Sequence, residues 1–249
     1  MESILIGHRG DPESWPENSL PGFRAILEAG ACWLETDVQI TADGIAVLSH
    51  DPSTLRMTGS DLPITTTDYE TLRVLPAGYP ERFANRFQDL HLARLDEFVE
   101  LLQQWPHARA FIEIKAASIS AHGIHRVFDT VLELLTPVLQ QCTLISFDHD
   151  TVVHARRHCS LPVGWVLDDW SAENEMRALT LAPDYLFCNH KRLPPVDEPL
   201  WQGPWQWVVY TINAAGDVPP LLARGVELIE TDIIRQLLAD PALQGIARV

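Results

Sequence analysis

The chain is expected to fold as a single (β/α)8 TIM barrel of the α/β class. Three observations predict it. Short apolar runs alternate with helical patterns along nearly all of the 249 residues. Eight such runs remain once an antiparallel hairpin is set aside, the number that closes a parallel barrel. The first strand–helix turn, Gly7-His8-Arg9-Gly10-Asp11, lacks the G-x-G-x-x-G loop that a doubly wound sheet would normally carry there.

The elements follow in order. Ser3–Gly7 reads as the first strand. Asn18 is a good cap for a helix over Leu20–Ala29, whose Phe23, Ile26 and Leu27 share one face, and Gly30 stops it. Cys32–Ile40 is the second strand, and Thr41-Ala42-Asp43-Gly44 turns it into the short return strand Ile45–Ser49. Strands are then expected at Ala110–Lys115, Cys142–Phe147, Pro162–Leu167, Asp184–Cys188, Trp205–Thr211 and Val226–Thr231. Helices are expected over about Ala121–Gln140, Asp150–His158, Ala172–Thr180 and Ala214–Arg224. The stretch from Asp51 to about Ala108 is too long for an ordinary loop. With helical pieces near Asp68–Leu75 and Leu95–Trp105, it reads as an insertion over the catalytic end of one domain spanning residues 1–249.

Composition narrows the class of function. A hydrophobic content of 46% supports a full core, and the formal charge of −16 argues against a nucleic-acid binder or stable docking on an anionic membrane. The charge is compatible with a small anionic substrate, because a metal and two cations can reverse the potential inside a cleft. Cys32, Cys142, Cys159 and Cys188 have no zinc-like spacing and read as reduced thiols. Met1-Glu2-Ser3 lacks the basic and apolar segments of a signal peptide, and no run approaches the roughly 18–20 apolar residues of a membrane span. A soluble cytoplasmic protein, monomer or homodimer, is expected.

Four islands place ionisable groups where strands end: His8-Arg9-Gly10, Glu35-Thr36-Asp37, His50-Asp51 and Glu113-Ile114-Lys115. Barrels carry their chemistry at those ends. Glu35 and Asp37 are two apart on one strand and share a face. Like charges so placed repel unless a cation lies between them, and a hard divalent ion, Mg²⁺ or Ca²⁺, is the simplest one. Glu113 repeats the geometry on the next barrel strand and completes a three-carboxylate site. For any single carboxylate a rim salt bridge is the plainer reading; three at strand ends favour the metal. Of ten histidines, His8 and His50 stand out, since each ends a strand beside a charged residue and imidazole moves protons near neutral pH. His149, beyond the fourth barrel strand, is a weaker candidate for the rim.

These islands resemble a known family. Residues 4–59, running from "ILIGHRGDPESWPENSLPGF" through "LETDVQITADGIAVLSHD", are similar to the opening signature of glycerophosphodiester phosphodiesterases: HRG, PEN, ExD, DG and HD. The later "FIEIK", "LISFD", "VVYTIN" and "GVELIETD" resemble that family's remaining strand motifs, so the likeness covers essentially the whole chain. The resemblance implies that Glu35, Asp37 and Glu113 bind one divalent cation, Mg²⁺ or Ca²⁺. It implies His8 and His50 as the acid–base pair, His8 taken as the base and His50 as the acid, with the two roles able to exchange between half-reactions. Arg9 and Lys115 would hold the phosphate, with Phe147 and Tyr210 against the substrate. The implied reaction on a small-molecule phosphodiester is attack by the neighbouring glycerol hydroxyl, giving a cyclic phosphate that water opens.

Tyr210 stands where the family usually has Trp, Ala93-Arg94-Leu95-Asp96-Glu97 replaces P-T-L-x-E, and Ile233-Ile234 follows Asp232 in place of proline. These departures bear on the alcohol head group. A lysophospholipase D-like activity on lipids is the alternative, needing an apolar channel built from Trp165, Trp170 or the insertion. A non-catalytic phosphate-ligand binding protein would be expected to lack an imidazole or a carboxylate, and none is missing.

Overall fold

The computed structural model describes residues 3–243; Met1 and Glu2, on which the signal-peptide expectation rests, lie outside them. Strands β1 (Leu5–His8), β2 (Trp33–Ile40), β4 (Arg109–Ile114), β5 (Cys142–Ser146), β6 (Val163–Val166), β7 (Tyr185–Asn189), β8 (Gln206–Tyr210) and β9 (Val226–Thr231) form a parallel sheet. β1 pairs with both β2 and β9, which closes the sheet into a barrel. β3 (Ala46–Leu48) is the antiparallel return strand, paired with β2 and bridged at Val47 to Arg94.

Alternation along each strand divides two apolar layers. Ile6, Trp33, Phe111, Ile145, Val166, Phe187, Val208 and Leu228 point inward and fill the barrel. Phe111 is stacked on Trp33 at 5.2 Å and meets Phe187 edge-on at 5.1 Å. The outward residues, among them Leu34, Ile112, Leu144 and Ile229, pack beneath the helices in the larger core. Parallel strands buried on both faces need nearly continuous apolar sequence, and β2 is buried at every position.

The helices are α1 (Leu20–Glu28), α2 (Leu55–Thr58), α3 (Tyr69–Leu72), α4 (Pro80–Phe83), α5 (Leu95–Gln103), α6 (Ala116–His122), α7 (Ile124–Leu135), α8 (His149–His158), α9 (Ala172–Leu181), α10 (Val218–Ala223) and α11 (Ile234–Ala239). Three expectations are corrected. The cap of α1 is Ser19, whose hydroxyl accepts from the Gly22 N–H at 3.3 Å, and Asn18 turns away from the helix. The long helix expected after β4 is broken at Gly123, whose φ of +79° a helix does not hold, leaving α6, α7 and a 3₁₀ turn at Thr136–Gln141. The inserted stretch ends before Leu95, because α5 packs against α1 and α7 in the outer ring as the barrel's own crossover helix. What remains of the insertion packs Ile64, Leu72 and Leu92 into a small core against Val47 of β3.

One glycine matters to the site. Gly10, with φ +93°, turns the chain sharply after β1, and a Cβ there would press on the Gly22 and Phe23 backbone at 3.3–3.4 Å. That turn leaves His8 and Arg9 at the end of β1, pointing toward the barrel mouth.

Candidate active site

The interior alternation that fills the barrel also builds its upper layer. Two residues beyond the apolar ring come His8, Glu35, Glu113, Phe147, Asn189, Tyr210 and Glu230, one from each of seven strands or their ends. All seven line one cavity of about 260 Å³, joined by Arg9, His50 and Thr211 at its wall and by Ile145, Val166 and Phe187 at its floor. Larger grooves lie between the outer helices, but none holds these groups. The cavity sits at the carboxyl ends of the strands, where a barrel's loops and strand ends meet.

Register explains the grouping. His8 lies beside Glu35 in the β1–β2 ladder, and Asp37 lies beside Glu113 in the β2–β4 ladder. In-register parallel residues point the same way, so Glu35, Asp37 and Glu113 converge, with ligand oxygens all within 4.8 Å of one another. Each is buried, Asp37 completely. Seven of the nine residues singled out from the sequence line the cavity; Asp37 and Lys115 stand immediately behind it, bonded to its wall.

The cations are engaged with the carboxylates. Lys115 Nζ lies 2.7 Å from Glu113 Oε1 and 3.1 Å from Asp37 Oδ1. Arg9 Nε lies 3.0 Å from Asp37 Oδ2, off the hydrogen-bond direction, and the Arg9 N–H donates to Glu35 Oε2 at 3.1 Å. Burial alone would push Asp37 up, but Arg9, Lys115 and His50, with the Asn18 amide, outweigh it and hold the carboxyl well below the usual range. Glu35 goes the other way: burial, then the charges of Asp37 and Glu230, raise it well above the ordinary value. Burial and Asp37 push Glu113 up to about 7.

This donor set fits a hard divalent cation. It consists only of carboxylate oxygen, and ligands on one ion stand no farther apart than twice the bond length, about 4.0–5.2 Å for Mg²⁺ and Ca²⁺. Two of the three carboxyls are held toward their neutral forms by crowding and burial. A dication placed among them would relieve that repulsion.

Both imidazoles are anchored through Nδ1. His8 Nδ1 lies 2.7 Å from Asp232 Oδ1, and His50 Nδ1 lies 2.8 Å from Asp51 Oδ1. With Nδ1 committed to a carboxylate, Nε2 is the nitrogen left for proton transfer. Burial, followed by Arg9 and Lys115 against the pull of Asp37, lowers the His50 pKa below its ordinary value. Burial would raise Asp232, but the His8 ring and the Asn213 amide outweigh it and keep the carboxylate ionised.

Several positioning residues were not read from the sequence. Asn18, at φ +56° and 3% exposed, donates to Asp37 Oδ2 at 3.0 Å and accepts from the Thr36 hydroxyl at 2.8 Å. Glu17 accepts from both Arg56 Nη atoms at 2.7 Å, and Arg56 Nε donates to Asp51 at 2.6 Å, so one arginine braces the His50 dyad. Asp232 and Glu230 stand at the end of β9, where the strand-end reasoning applied to His8 would have found them. His149, by contrast, packs its ring on Trp165 at 4.8 Å and lines the outer groove between α8 and α9.

The four cysteines are free, as expected. Among the described residues no helix is long and apolar enough to cross a membrane.

The chain matches the model of the Glycerophosphoryl diester phosphodiesterase family over residues 8–236. It is 26% identical over 238 residues to a glycerophosphodiester phosphodiesterase of Caldanaerobacter subterraneus subsp. tengcongensis, covering 93% of this chain and 95% of that protein. An Oleispira antarctica phosphodiesterase, solved in complex with the product sn-glycerol-3-phosphate, superposes with a TM-score of 0.83 at 20% identity over 98% of each chain. A glycerophosphodiester phosphodiesterase of Agrobacterium tumefaciens gives 0.76 at 20% identity, over 96% of this chain and 100% of that one. The two structures attest the barrel; the family match takes in the end of β1 and every later strand. The chain belongs to the glycerophosphoryl diester phosphodiesterase family and is a phosphoric diester hydrolase.

Proposed function

We propose that this enzyme hydrolyses small glycerophosphodiesters to an alcohol and glycerol 3-phosphate, with His8 and His50 as the acid–base pair and one Mg²⁺ or Ca²⁺ held by Glu35, Asp37 and Glu113. The observation that carries the reading is the single cavity that both imidazoles share with Arg9, Glu35 and Glu113. The ion supplies charge stabilisation on the phosphoryl oxygens when bound.

The protein's own groups account for the rest. The glycerol hydroxyl next to the ester is held against phosphorus, which replaces a bimolecular attack with an intramolecular one. As its oxygen bonds to phosphorus, the proton passes to one imidazole. The bond to the alcohol breaks and the other imidazole protonates the departing oxygen. Water then opens the cyclic phosphate with the two roles exchanged. The lowered pKa of His50 keeps its ring neutral near pH 7 and suits it to the first proton acceptance. Asp232, held ionised, fixes the orientation of the His8 ring through Nδ1. Arg9, in the cavity wall, and Lys115, behind it, are the cations this reading assigns to the phosphate. They neutralise Asp37 and Glu113, and a divalent ion held by those carboxylates would free them for the anion.

The aromatic groups that a lipid tail would need are committed to packing. Trp165 donates to the Phe147 carbonyl at 3.2 Å, Trp170 stacks on Trp201 at 4.1 Å, and Phe83 and Phe87 pack on each other at 5.2 Å. That favours a soluble diester. A panel of glycerophosphodiesters and lysophospholipids, assayed in one buffer with Mg²⁺, tests the reading. Release of glycerol 3-phosphate from the soluble diesters is expected, and turnover confined to the lipids would overturn it.

A further inference from the structure

We propose that Glu230 reads the glycerol end of the substrate, its carboxyl group receiving the hydroxyl farthest from phosphorus. The inference rests on the function proposed above and adds a recognition residue to it. Glu230 points into the barrel at the end of β9, one pleat period above Leu228, and lines the cavity between His8 of β1 and Tyr210 of β8. It is 3% exposed, and its Oε1 has no hydrogen-bond partner.

A buried carboxyl oxygen without a partner costs the fold free energy that a leucine of similar size would not. The charges of His8 and Arg9 favour its ionised form, but neither donates a hydrogen bond to Oε1. Arg9, the cation on this side of the cavity, is committed to Asp37 and Glu17. Glu230 is also not one of the three carboxylates whose oxygens converge as a metal group. A buried, unpartnered acid in the wall of a ligand cavity is what a hydroxyl-bearing ligand would satisfy.

The glycerol fragment fits that position better than the head group. Glu230 stands in the same layer as His8 and Glu113, directly above the apolar ring, so a ligand on it lies beside the reacting groups, as the glycerol fragment of the diester must. The hydroxyl beside the ester is consumed in the proposed attack, which leaves the terminal one for recognition.

The test compares two ligands differing only in that hydroxyl: glycerol 3-phosphate and 2-hydroxypropyl phosphate. Calorimetric affinities are measured with Mg²⁺ present for the wild type, Glu230→Leu and Glu230→Gln. The wild type is expected to prefer glycerol 3-phosphate by about 10- to 100-fold. In Glu230→Leu the preference should fall to about threefold or less, with the analogue bound as before and the melting temperature unchanged or raised. Glu230→Gln, which keeps the shape and a hydrogen-bonding amide, should retain part of it and decides the matter if the leucine variant does not fold. Wild-type preference surviving in the variants would overturn the inference. Because binding is read without turnover, a failure here is distinct from a failure of the proposed hydrolysis, which the diester panel decides.

Discussion

His8 Nδ1 lies 2.7 Å from Asp232 Oδ1, across 224 residues of sequence, because β1 and β9 are the strands that close the barrel. Closure therefore does chemical as well as structural work. It sets the tautomer of one imidazole of the proposed acid–base pair.

Asp232→Asn should lower kcat by about 10²–10⁴-fold with little change in KM, since it removes the acceptor that fixes the His8 ring and supports its charge. Steady-state kinetics with a melting curve checks this. A variant with wild-type kcat would mean that the dyad serves packing alone.

His8→Ala and His50→Ala should each cost about 10²–10⁴-fold in kcat, with a stability change near that of ordinary surface substitutions. The pH profile separates them. If neutral His50 is the proton acceptor, kcat/KM falls on the acid side below its depressed pKa. That acid limb should be lost in His50→Ala.

The carboxylate cluster gives the ligand-free protein a distinctive stability profile. Glu113 is pushed up to about 7 from an ordinary 4.5, so its contribution to stability is complete below 4.5 and is lost as pH rises through about 7. Asp37 is shifted down, so its contribution is present above its ordinary 3.8 and is lost as pH falls. The melting temperature of the metal-free enzyme should therefore decline between about pH 4.5 and 7, and Glu113→Gln should flatten that decline. Saturating Mg²⁺ or Ca²⁺ should raise the melting temperature at pH 7 and release protons, because bound carboxylates must be ionised. Calorimetry in buffers of different ionisation enthalpy measures the release.

Asn18 holds Asp37 and Thr36 from a left-handed backbone conformation that asparagine tolerates better than most residues. Asn18→Ala removes those bonds and adds backbone strain, an expected loss of about 2–4 kcal/mol in unfolding free energy. Asn18→Gly relieves the strain and should recover part of it. Equal losses in the two variants would put the whole effect on the hydrogen bonds.

The barrel was legible because apolar runs and helical periodicity repeat with few interruptions, and because parallel strands buried on both faces leave a strong mark. The candidate site residues on β1, β2 and β4 were legible for a related reason: charged groups interrupt apolar strands only where something repays their burial. The rest depended on closure. That Asn18 leaves its helix to grip Asp37, or that Asp232 reaches His8, follows from pairings between segments far apart, which local patterns do not encode. The break at Gly123 was visible as a glycine, but amphipathic periodicity on both sides suggested one continuous helix.

The most direct test of the account is glycerol 3-phosphate release from glycerophosphocholine by the purified enzyme, followed before and after excess chelator and again after Mg²⁺ or Ca²⁺ is restored. Turnover should disappear with the chelator and return with the ion, and Glu35→Gln should remain inactive throughout. Turnover that continues undiminished in excess chelator would contradict the three-carboxylate metal site.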